Sequence, residues 1–198
     1  MRWDSLFDDL EGQLEQELGA EEVDLLAEEE RLRLGRLGLR ERLLSITRPA
    51  RGGAERIRLE LRRGPIVTVA VGSIGRDWLA GELDGPRRGS CLVPFAAIAS
   101  LLPTSEQLAL SLVPDPPAEP AGSLSARLGL AFVLRDLCRR RVAIDVTTAS
   151  GQRLHGTIDR VGRDHLDLAE HEAGTPRRAS AVDRIRILLF DELALVRF

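Results

Sequence analysis

The chain has 198 residues and a mass of 21.8 kDa, which is enough for one ordinary domain or two small ones. It is 43% hydrophobic and 30% charged, and its two cysteines exclude a disulfide-dense scaffold and a four-cysteine zinc module. No apolar run reaches the roughly 18 residues needed to cross a bilayer, and the first residues are acidic where a secretory signal would be basic. We therefore expect a cytoplasmic protein that makes no contact with membranes.

Charge is distributed unevenly along the chain. The net charge is −3, yet residues 1–30 carry twelve acidic side chains and one arginine, whereas residues 31–63 carry eleven arginines and three glutamates. All 28 basic residues are arginine. Two interpretations stay open: a GC-rich genome with an ordinary solvated surface, or an acidic segment that either folds back on the basic one or keeps other anions away from it.

The N-terminal segment, residues 1–35, is predicted to be an acidic amphipathic helical arm. Its apolar residues are spaced by three or four positions, which places them on one stripe of a helix, and acidic residues fill the other faces. Such a stripe does not remain in water, so we expect it to pack on the rest of the chain, on a second copy or on a partner protein. The residues of this interaction helix are Trp3, Phe7, Leu10, Leu14 and Leu18.

The remainder of the chain contains an internal repeat. The string RLGL occurs at 36–39 and at 127–130, each time before a segment of helical character. A shift of 87 residues aligns 57–102 with 144–189 without a gap, and nine of the 46 pairs are identical, where this composition gives roughly four by chance. Each copy then ends similarly, in LALSL or LALVR. The identical pairs are Ile57 and Ile144, Gly64 and Gly151, the Gly-Arg-Asp triplets at 75–77 and 162–164, Leu79 and Leu166, Ile98 and Ile185, and Leu101-Leu102 and Leu188-Leu189.

Each copy is predicted to contain five short strands after a short helix. The first strands, near 57–61 and 142–146, alternate apolar and polar residues. The second strands, IVTVAV and RLHGTIDR, end at a glycine where the chain reverses, and DWLAGEL and DHLDLAE follow as third strands. The fourth and fifth strands are CLVPF and IASLL in the first copy, and ASAV and IRILL in the second. Five such strands bury enough surface only in a strongly bent sheet, so we expect small barrels.

The second copy resembles the first half of an Sm-like domain. An alternating apolar strand leads to Gly151, and Leu154, Gly156 and Ile158 follow before an aspartate and alternating leucines, whereas the first copy has Val69 in place of Gly156. The resemblance covers roughly 36–113 and 127–198. It implies a mainly β fold with helices, in which an N-terminal helical arm is followed by two pseudo-repeated Sm-like small β-barrels. It also implies barrels that associate through exposed edge strands.

Departures from the family limit what the resemblance implies about RNA. Sm-like proteins that grip uridines use an Asn after the third-strand turn and an Arg-Gly pair in the fourth strand. Here the corresponding stretches read GRDHLDL and SAVDRIRI, or GRDWLAG and VPFAAIAS, so the base pocket is not evident. The whole chain is also similar to an uncharacterised group of high-GC actinobacterial proteins that begin with a WDxLFxDLE helix. Some of them are labelled Fis-type transcriptional regulators, but no helix-turn-helix pattern supports that label here.

A proline-rich stretch separates the two copies. VPDPPAEPAGS has four prolines in eleven residues and is typical of an extended, semi-rigid spacer. We therefore predict four parts: the arm at 1–35, the first barrel at 36–113, the linker at 114–123 and the second barrel at 124–198.

Catalytic chemistry is not indicated. Neither a phosphate-cradling GxxxxGK pattern nor GxSxG occurs, and the absence of lysine removes Schiff-base chemistry. Cys91 and Cys138 have no neighbouring histidine in sequence, so we expect them to be buried free thiols. The histidines lack counterparts in the first copy, so we expect no metal site. The residues considered for that site are His155, His165, His171, Asp164 and Asp167. We expect no catalytic residues, no cofactor and no small-molecule substrate.

The paired Gly-Arg-Asp turns are the best functional candidate. In a structural interpretation, Gly permits the hairpin and Asp caps the turn through its own backbone. In a functional one, the two arginines lie at equivalent barrel rims and together bind an anion, a phosphate backbone or an acidic partner helix. The residues of this binding surface are Arg76, Asp77, Arg163 and Asp164, extended by Arg139, Arg140 and Arg141.

The sequence is compatible with two functions. The first is a non-enzymatic protein-interaction adaptor or assembly scaffold that binds a protein partner, or another copy of itself, through barrel edges and the N-terminal helix. The second is a regulator that binds RNA or DNA through arginine-rich barrel rims, with the acidic arm limiting nonspecific binding.

Overall fold

The computed structural model describes residues 22–47, 54–62, 64–85, 88–113, 124–175 and 177–198. Contacts divide the chain into two units, Met1–Leu39 and Arg40–Phe198. Two of the predictions above fall outside the described residues. These are the linker at 114–123 and the interaction helix of Trp3, Phe7, Leu10, Leu14 and Leu18.

In the first unit, the described residues 22–36 are helical and form α1. Ion pairs between neighbouring turns support it: Arg31 lies 3.2 Å from Glu28, and Arg33 lies 2.6 Å from Glu30. The hydrogen bond from Arg33 holds the pKa of Glu30 below its ordinary value. Several large apolar side chains of this helix are nevertheless exposed. They are Val23, Leu25, Leu26, Leu32 and Leu34.

The second unit is mainly β, with short helices between the strands. Helix α2 begins at the last residue of the first unit. The helices are α2 (Leu39–Ile46), α3 (Ser105–Leu112), α4 (Leu124–Arg127) and α5 (Leu130–Arg139). The strands are β1 (Arg56–Leu61), β2 (Ile66–Ile74), β3 (Trp78–Leu83), β4 (Gly89–Pro94), β5 (Ile98–Leu101), β6 (Ala143–Thr148), β7 (Arg153–Val161), β8 (His165–Glu170), β9 (Arg184–Leu189) and β10 (Leu193–Arg197).

The described strands form a single antiparallel sheet of ten strands, in the order β5-β1-β2-β3-β4-β10-β6-β7-β8-β9. The prediction of a mainly β fold with helices is confirmed. The prediction of two closed barrels is wrong, because β4 does not pair with β5 and hydrogen-bonds instead to β10 of the other half. Among the described strands, the sheet therefore ends at two edge strands, β5 and β9.

The two halves of this sheet share strand order and register. Strands β1, β2 and β3 recur 87 residues later as β6, β7 and β8, with the same lengths. Ile57 faces Val69 across the first strand pair, and Ile144 faces Gly156 across the corresponding pair. β2 and β7 also carry a bulge at equivalent positions. Strands β4 and β5 correspond to β9 and β10, which begin 95 residues later.

This change of interval corrects the gapless alignment beyond β3. Ile98 lies on β5, whereas Ile185 lies on β9, because the connection at 171–183 is eight residues longer than that at 84–88. The pairing of Leu101-Leu102 with Leu188-Leu189 fails for the same reason. IRILL is therefore the fourth strand of the second half, and LALVR is the fifth, while ASAV lies at a 3-10 turn. LALSL forms part of α3, in which the Thr104 side chain caps the first turn.

The core joins both halves. β1 exposes its arginines and buries Ile57, and β6 buries Ile144 at the same position. Trp78 and Leu92 of the first half pack in one cluster with Leu134 of α5. Burying side chains of this size stabilises a fold by about 1.5–3 kcal/mol each.

Glycine is required beside each bulge, where two strands approach closely. A Cβ on Gly81 would lie 2.1 Å from the carbonyl oxygen of Ala70, and a Cβ on Gly156 would lie 2.3 Å from that of Ala169. In the first half the glycine at this close approach is Gly81 on the third strand, and in the second half it is Gly156 on the second strand. Because Gly81 already provides the space, the first half accommodates Val69 at the position that corresponds to Gly156.

We predict that Gly81→Ala lowers the free energy of unfolding by about 1–3 kcal/mol, because the new methyl group collides with the backbone of β2. Gly72→Ala is the matched control, since its Cβ would have its nearest neighbour, the Ala80 carbonyl oxygen, at 3.8 Å. Both variants stiffen the unfolded chain equally. Urea unfolding curves compare them, and equal stability of the two variants would contradict the prediction.

Candidate functional site

The first Gly-Arg-Asp triplet, Gly75 to Asp77, forms the turn between β2 and β3. The Gly75 amide donates to the Trp78 carbonyl at 2.8 Å, and the Phe95 amide donates to the Asp77 carbonyl at 2.9 Å. A Cβ on Gly75 would lie 2.2 Å from the Trp78 ring. Only glycine at this position therefore lets the indole fold over the turn.

This turn holds the start of α5. The Arg76 amide and the Trp78 indole N–H both donate to the Leu128 carbonyl at 3.0 Å. Asp77 Oδ1 accepts from the Leu130 amide at 2.8 Å. The N-cap residue of α5 is Gly129, which has no side chain to cap the helix, so Asp77 supplies the missing acceptor from the other half of the sheet. The first turn is thus a joint between the halves.

The second triplet, Gly162 to Asp164, forms the equivalent turn between β7 and β8. The Gly162 amide donates to the His165 carbonyl at 2.8 Å, and the Phe190 amide donates to the Asp164 carbonyl at 2.8 Å, as in the first turn. The Asp164 side chain, however, is 78% exposed. It accepts a hydrogen bond from His165 Nδ1 at 2.8 Å, which holds the pKa of Asp164 below its usual value. The two turns therefore share their geometry and differ in what covers them.

The structure does not bring Arg76 and Arg163 together. They lie on different hairpins, β2–β3 and β7–β8, and the sheet order places β4, β10 and β6 between those hairpins. Among the described residues, no hydrogen bond or ion pair joins the two turns. Arg76 lies 3.5 Å from its neighbour Asp77 and is held over the start of α5. A single anion bound by both arginines has no support in this arrangement.

The arginine run at the end of α5 has carboxylate partners. Arg139 and Arg140 both pair with Asp136, one helical turn earlier. Arg141 lies 3.2 Å from Asp159 on β7. All three side chains are exposed, yet neighbouring carboxylates offset part of their charge. The run therefore presents less positive charge than its sequence suggests.

Strand β9 combines an unpaired edge with an apolar face. In the sheet it has a single neighbour, β8. Ile185, Ile187 and Leu189 share its outer face and are between 55% and 70% exposed. On the other face, Arg184 and Arg186 pair with Glu170. An edge strand with this surface is a template for the addition of another strand.

The corresponding positions on β4 are covered. Leu92, the counterpart of Ile187, is fully buried, and it faces Val196 of β10. Pro94, the counterpart of Leu189, is also buried. The Phe198 amide adds a hydrogen bond to the Ser90 carbonyl at 3.0 Å. What β9 exposes is therefore what β4 buries against the other half.

A groove between the halves contains a charged network that the sequence did not reveal. The groove has a volume of about 540 Å³, and Asp145, His155 and Arg197 help to line it. Asp145 accepts from His155 Nδ1 at 2.7 Å and from Arg197 at 2.8 Å. Burial alone would raise the pKa of Asp145, but these two hydrogen bonds together hold it below its usual value. Arg197 reaches Asp145 through a strand pairing that no local pattern indicates.

This network is not arranged as a nucleophile and base. His155 Nε2 is buried and has no hydrogen-bond partner among the described residues, so no hydroxyl or thiol there is poised to lose a proton to it. The ring instead meets that of His171 edge to face, with centroids 5.2 Å apart. His171 is itself buried and hydrogen-bonded to Thr157. The pair packs the interior of the second half.

Metal and thiol chemistry find no assembled site in the described ranges. There, no group of three or more His, Cys, Asp or Glu side chains is placed to hold a metal ion. Cys91 is a buried free thiol, and burial raises its pKa to about 11. Cys138 is free and half-buried. Within those same ranges, none of the helices has the length and apolar character that crossing a bilayer demands.

Comparison with known protein families, with curated proteins and with solved structures gives no match to this chain. The features that bear on function are therefore the open edge of β9 and the unequal surroundings of the two turns.

We predict that Asp77→Ala lowers the free energy of unfolding by about 0.5–2 kcal/mol, because it removes the acceptor that caps α5. Asp164→Ala is the matched control, since this carboxylate is exposed and caps no helix of its own chain. Thermal and urea unfolding at high dilution measure both effects. An equal loss of stability in the two variants would show that the contact of Asp77 with α5 stabilises the fold no more than the exposed Asp164 does.

We also predict that Cys91 resists alkylation in the folded chain between neutral pH and about pH 9. Its thiol stays protonated and buried over this range, whereas the thiolate is the reactive form. Cys138 should react first. Mass spectrometry of peptides after timed exposure to iodoacetamide distinguishes the two thiols, and equal labelling rates would disagree with the structure.

Proposed function

We propose that the protein is a non-enzymatic assembly scaffold or adaptor that binds further protein chains through the exposed edges of its sheet. The observation that carries the proposal is the apolar outer face of β9, whose counterpart on β4 is buried by another strand. An exposed apolar edge of this kind favours strand addition. The Asp145–His155 pair, which has no nucleophile beside it in the described residues, argues against a hydrolytic enzyme.

We interpret the two halves as pseudo-repeated Sm-like units. The shared strand order, register and bulges support this interpretation. With this interpretation, the pairing of β4 with β10 joins the fourth strand of the first half to the fifth strand of the second half. The two strands left at the edges are β5, a fifth strand, and β9, a fourth strand. A second copy of the chain therefore offers to β9 the kind of strand that it lacks.

Such a contact joins unlike surfaces, so it continues from chain to chain and produces a ring or a filament. On β5, Ala99 is exposed, whereas its counterpart on β10, Ala194, is 2% exposed. Pro103 stands at the position of Phe198 and has no amide hydrogen, so a junction between chains lacks one hydrogen bond of the internal junction. Pairing between chains is thus weaker than pairing within one.

The helical arm offers a second surface for protein partners, because its described apolar residues are exposed. We favour protein over RNA or DNA, since Asp136 and Asp159 offset part of the charge of the arginine run, although Asp159 also pairs with Arg177, and since the uridine-binding residues of Sm-like proteins are missing from the sequence. In this proposal the protein works in the cytoplasm, where its free thiols stay reduced.

We predict that the wild-type chain associates at micromolar concentrations and that Ile187→Glu shifts it towards the monomer of 21.8 kDa, because a charge on the outer face of β9 opposes burial. Ile66→Glu is the control, since Ile66 is half exposed but lies on β2, inside the sheet. Light scattering over a concentration series measures the mass of each.

A wild-type chain that stays monomeric at high micromolar concentration would contradict the proposal, as would an unchanged mass for Ile187→Glu. Binding of short RNA or DNA at about 50 mM salt that weakens steeply as salt rises would instead favour the alternative, in which arginine-rich rims bind nucleic acid.

A further inference from the structure

We propose that the second Gly-Arg-Asp turn, residues 162–164, is a docking site for the Arg-Leu-Gly-Leu segment, residues 36–39, of a second copy of this chain. The inference rests on the head-to-tail assembly proposed above and identifies a second contact within it. The site and its occupant both have a counterpart inside the chain, where the corresponding contact is already made.

The internal contact defines what the site binds. The turn of Gly75 to Trp78 holds an Arg-Leu-Gly-Leu segment, residues 127–130, through three hydrogen bonds. Two donors of the turn meet the Leu128 carbonyl, and the Asp77 carboxylate meets the Leu130 amide. Gly129 leaves space for the Arg76 guanidinium, since a Cβ at that glycine would lie 2.5 Å from Arg76 Nη2.

Each partner of this contact occurs once more in the chain. Arg-Leu-Gly-Leu recurs at 36–39, and its last residue begins α2 just as Leu130 begins α5. Gly-Arg-Asp recurs at 162–164, with the same internal hydrogen bonds. The second turn carries an exposed carboxylate, that of Asp164. The second segment starts a helix after Gly38, which has no side chain to cap it.

A second copy is the partner that the chain order requires. Internally, the turn of the first half receives the start of the helix that opens the second half. The turn at 162–164 belongs to the last half of its chain, so the next half is the first one of another copy. Segment 36–39 opens that half. Internally, the pairing of β4 with β10 accompanies the contact between Asp77 and Leu130.

The chemistry of the docked state follows from the internal contact. Asp164 accepts from the Leu39 amide of the second copy, and the Arg163 amide donates to its Leu37 carbonyl. His165 stands in place of Trp78, but its Nδ1–H already donates to Asp164, so the ring packs against the segment and supplies no second donor to that carbonyl. A smaller ring buries less apolar area, which makes this contact weaker than the internal one. Gly38 must lack a side chain so that Arg163 can lie across it.

The test uses one variant on each side of the contact. Asp164→Ala removes the acceptor, and Gly38→Ala obstructs Arg163. Each should raise the dissociation constant of self-association about tenfold, as expected for the loss of a helix-capping group. Glu172→Gln, which also replaces an exposed carboxylate of the second half, should leave the constant unchanged. Unfolding at high dilution checks that the monomers stay folded.

Mixing the two variants provides a stricter test. The Asp164→Ala chain keeps an intact segment 36–39, and the Gly38→Ala chain keeps an intact turn. One junction of wild-type strength therefore forms between them, and the mixture should yield pairs that are tighter than either variant alone forms. Pairs no tighter than those of the separate variants would overturn the proposed contact.

The outcome separates this contact from the assembly as a whole. If Ile187→Glu dissociates the chains while both turn variants associate like wild type, strand pairing stands and the docking site is refuted. If the wild-type chain is monomeric at every concentration, both proposals fail.

Discussion

The pairing of β4 with β10 determines how the rest of the sheet is arranged. Each half leaves its fourth and fifth strands apart, so that the fourth strand of the first half is completed by the fifth strand of the second. Leu92 and Val196 face each other there and are fully buried. The same pairing puts the first Gly-Arg-Asp turn beside α5, where Asp77 caps the Leu130 amide. Strand pairing and helix capping thus fix one relative placement of the two halves.

Local sequence patterns were sufficient for the first three strands of each half. Alternation gave β1 and β6, and a glycine marked each turn before β3 and β8, because burial on one face and reversal of the chain are local requirements. Beyond β3 the gapless comparison failed, since it could not register the longer connection at 171–183. The comparison also did not distinguish LALSL, which lies in the helix that Thr104 caps, from LALVR, which is a strand. Pairing between β4 and β10 joins distant parts of the chain and has no local signal.

The candidate site was visible in part. The sequence identified both Gly-Arg-Asp turns and both Arg-Leu-Gly-Leu segments, but it did not connect one motif with the other. A helix that starts after Gly129 lacks a side-chain cap, which is readable from sequence, whereas the carboxylate that replaces the cap lies 53 residues earlier in the chain. The pairing of Arg141 with Asp159 and the open face of β9 likewise depend on which strands are neighbours.

Linking two halves in one polypeptide has a consequence for the strength of their junction. The internal junction forms between segments held at high effective concentration, so it persists when the protein is diluted. A junction between chains has no such tether, and it also lacks the hydrogen bond that Pro103 cannot donate. An assembly of this chain would therefore alternate permanent and reversible joints. It would grow and shrink by one chain, and so by two halves, at a time. Any ring would therefore contain an even number of halves.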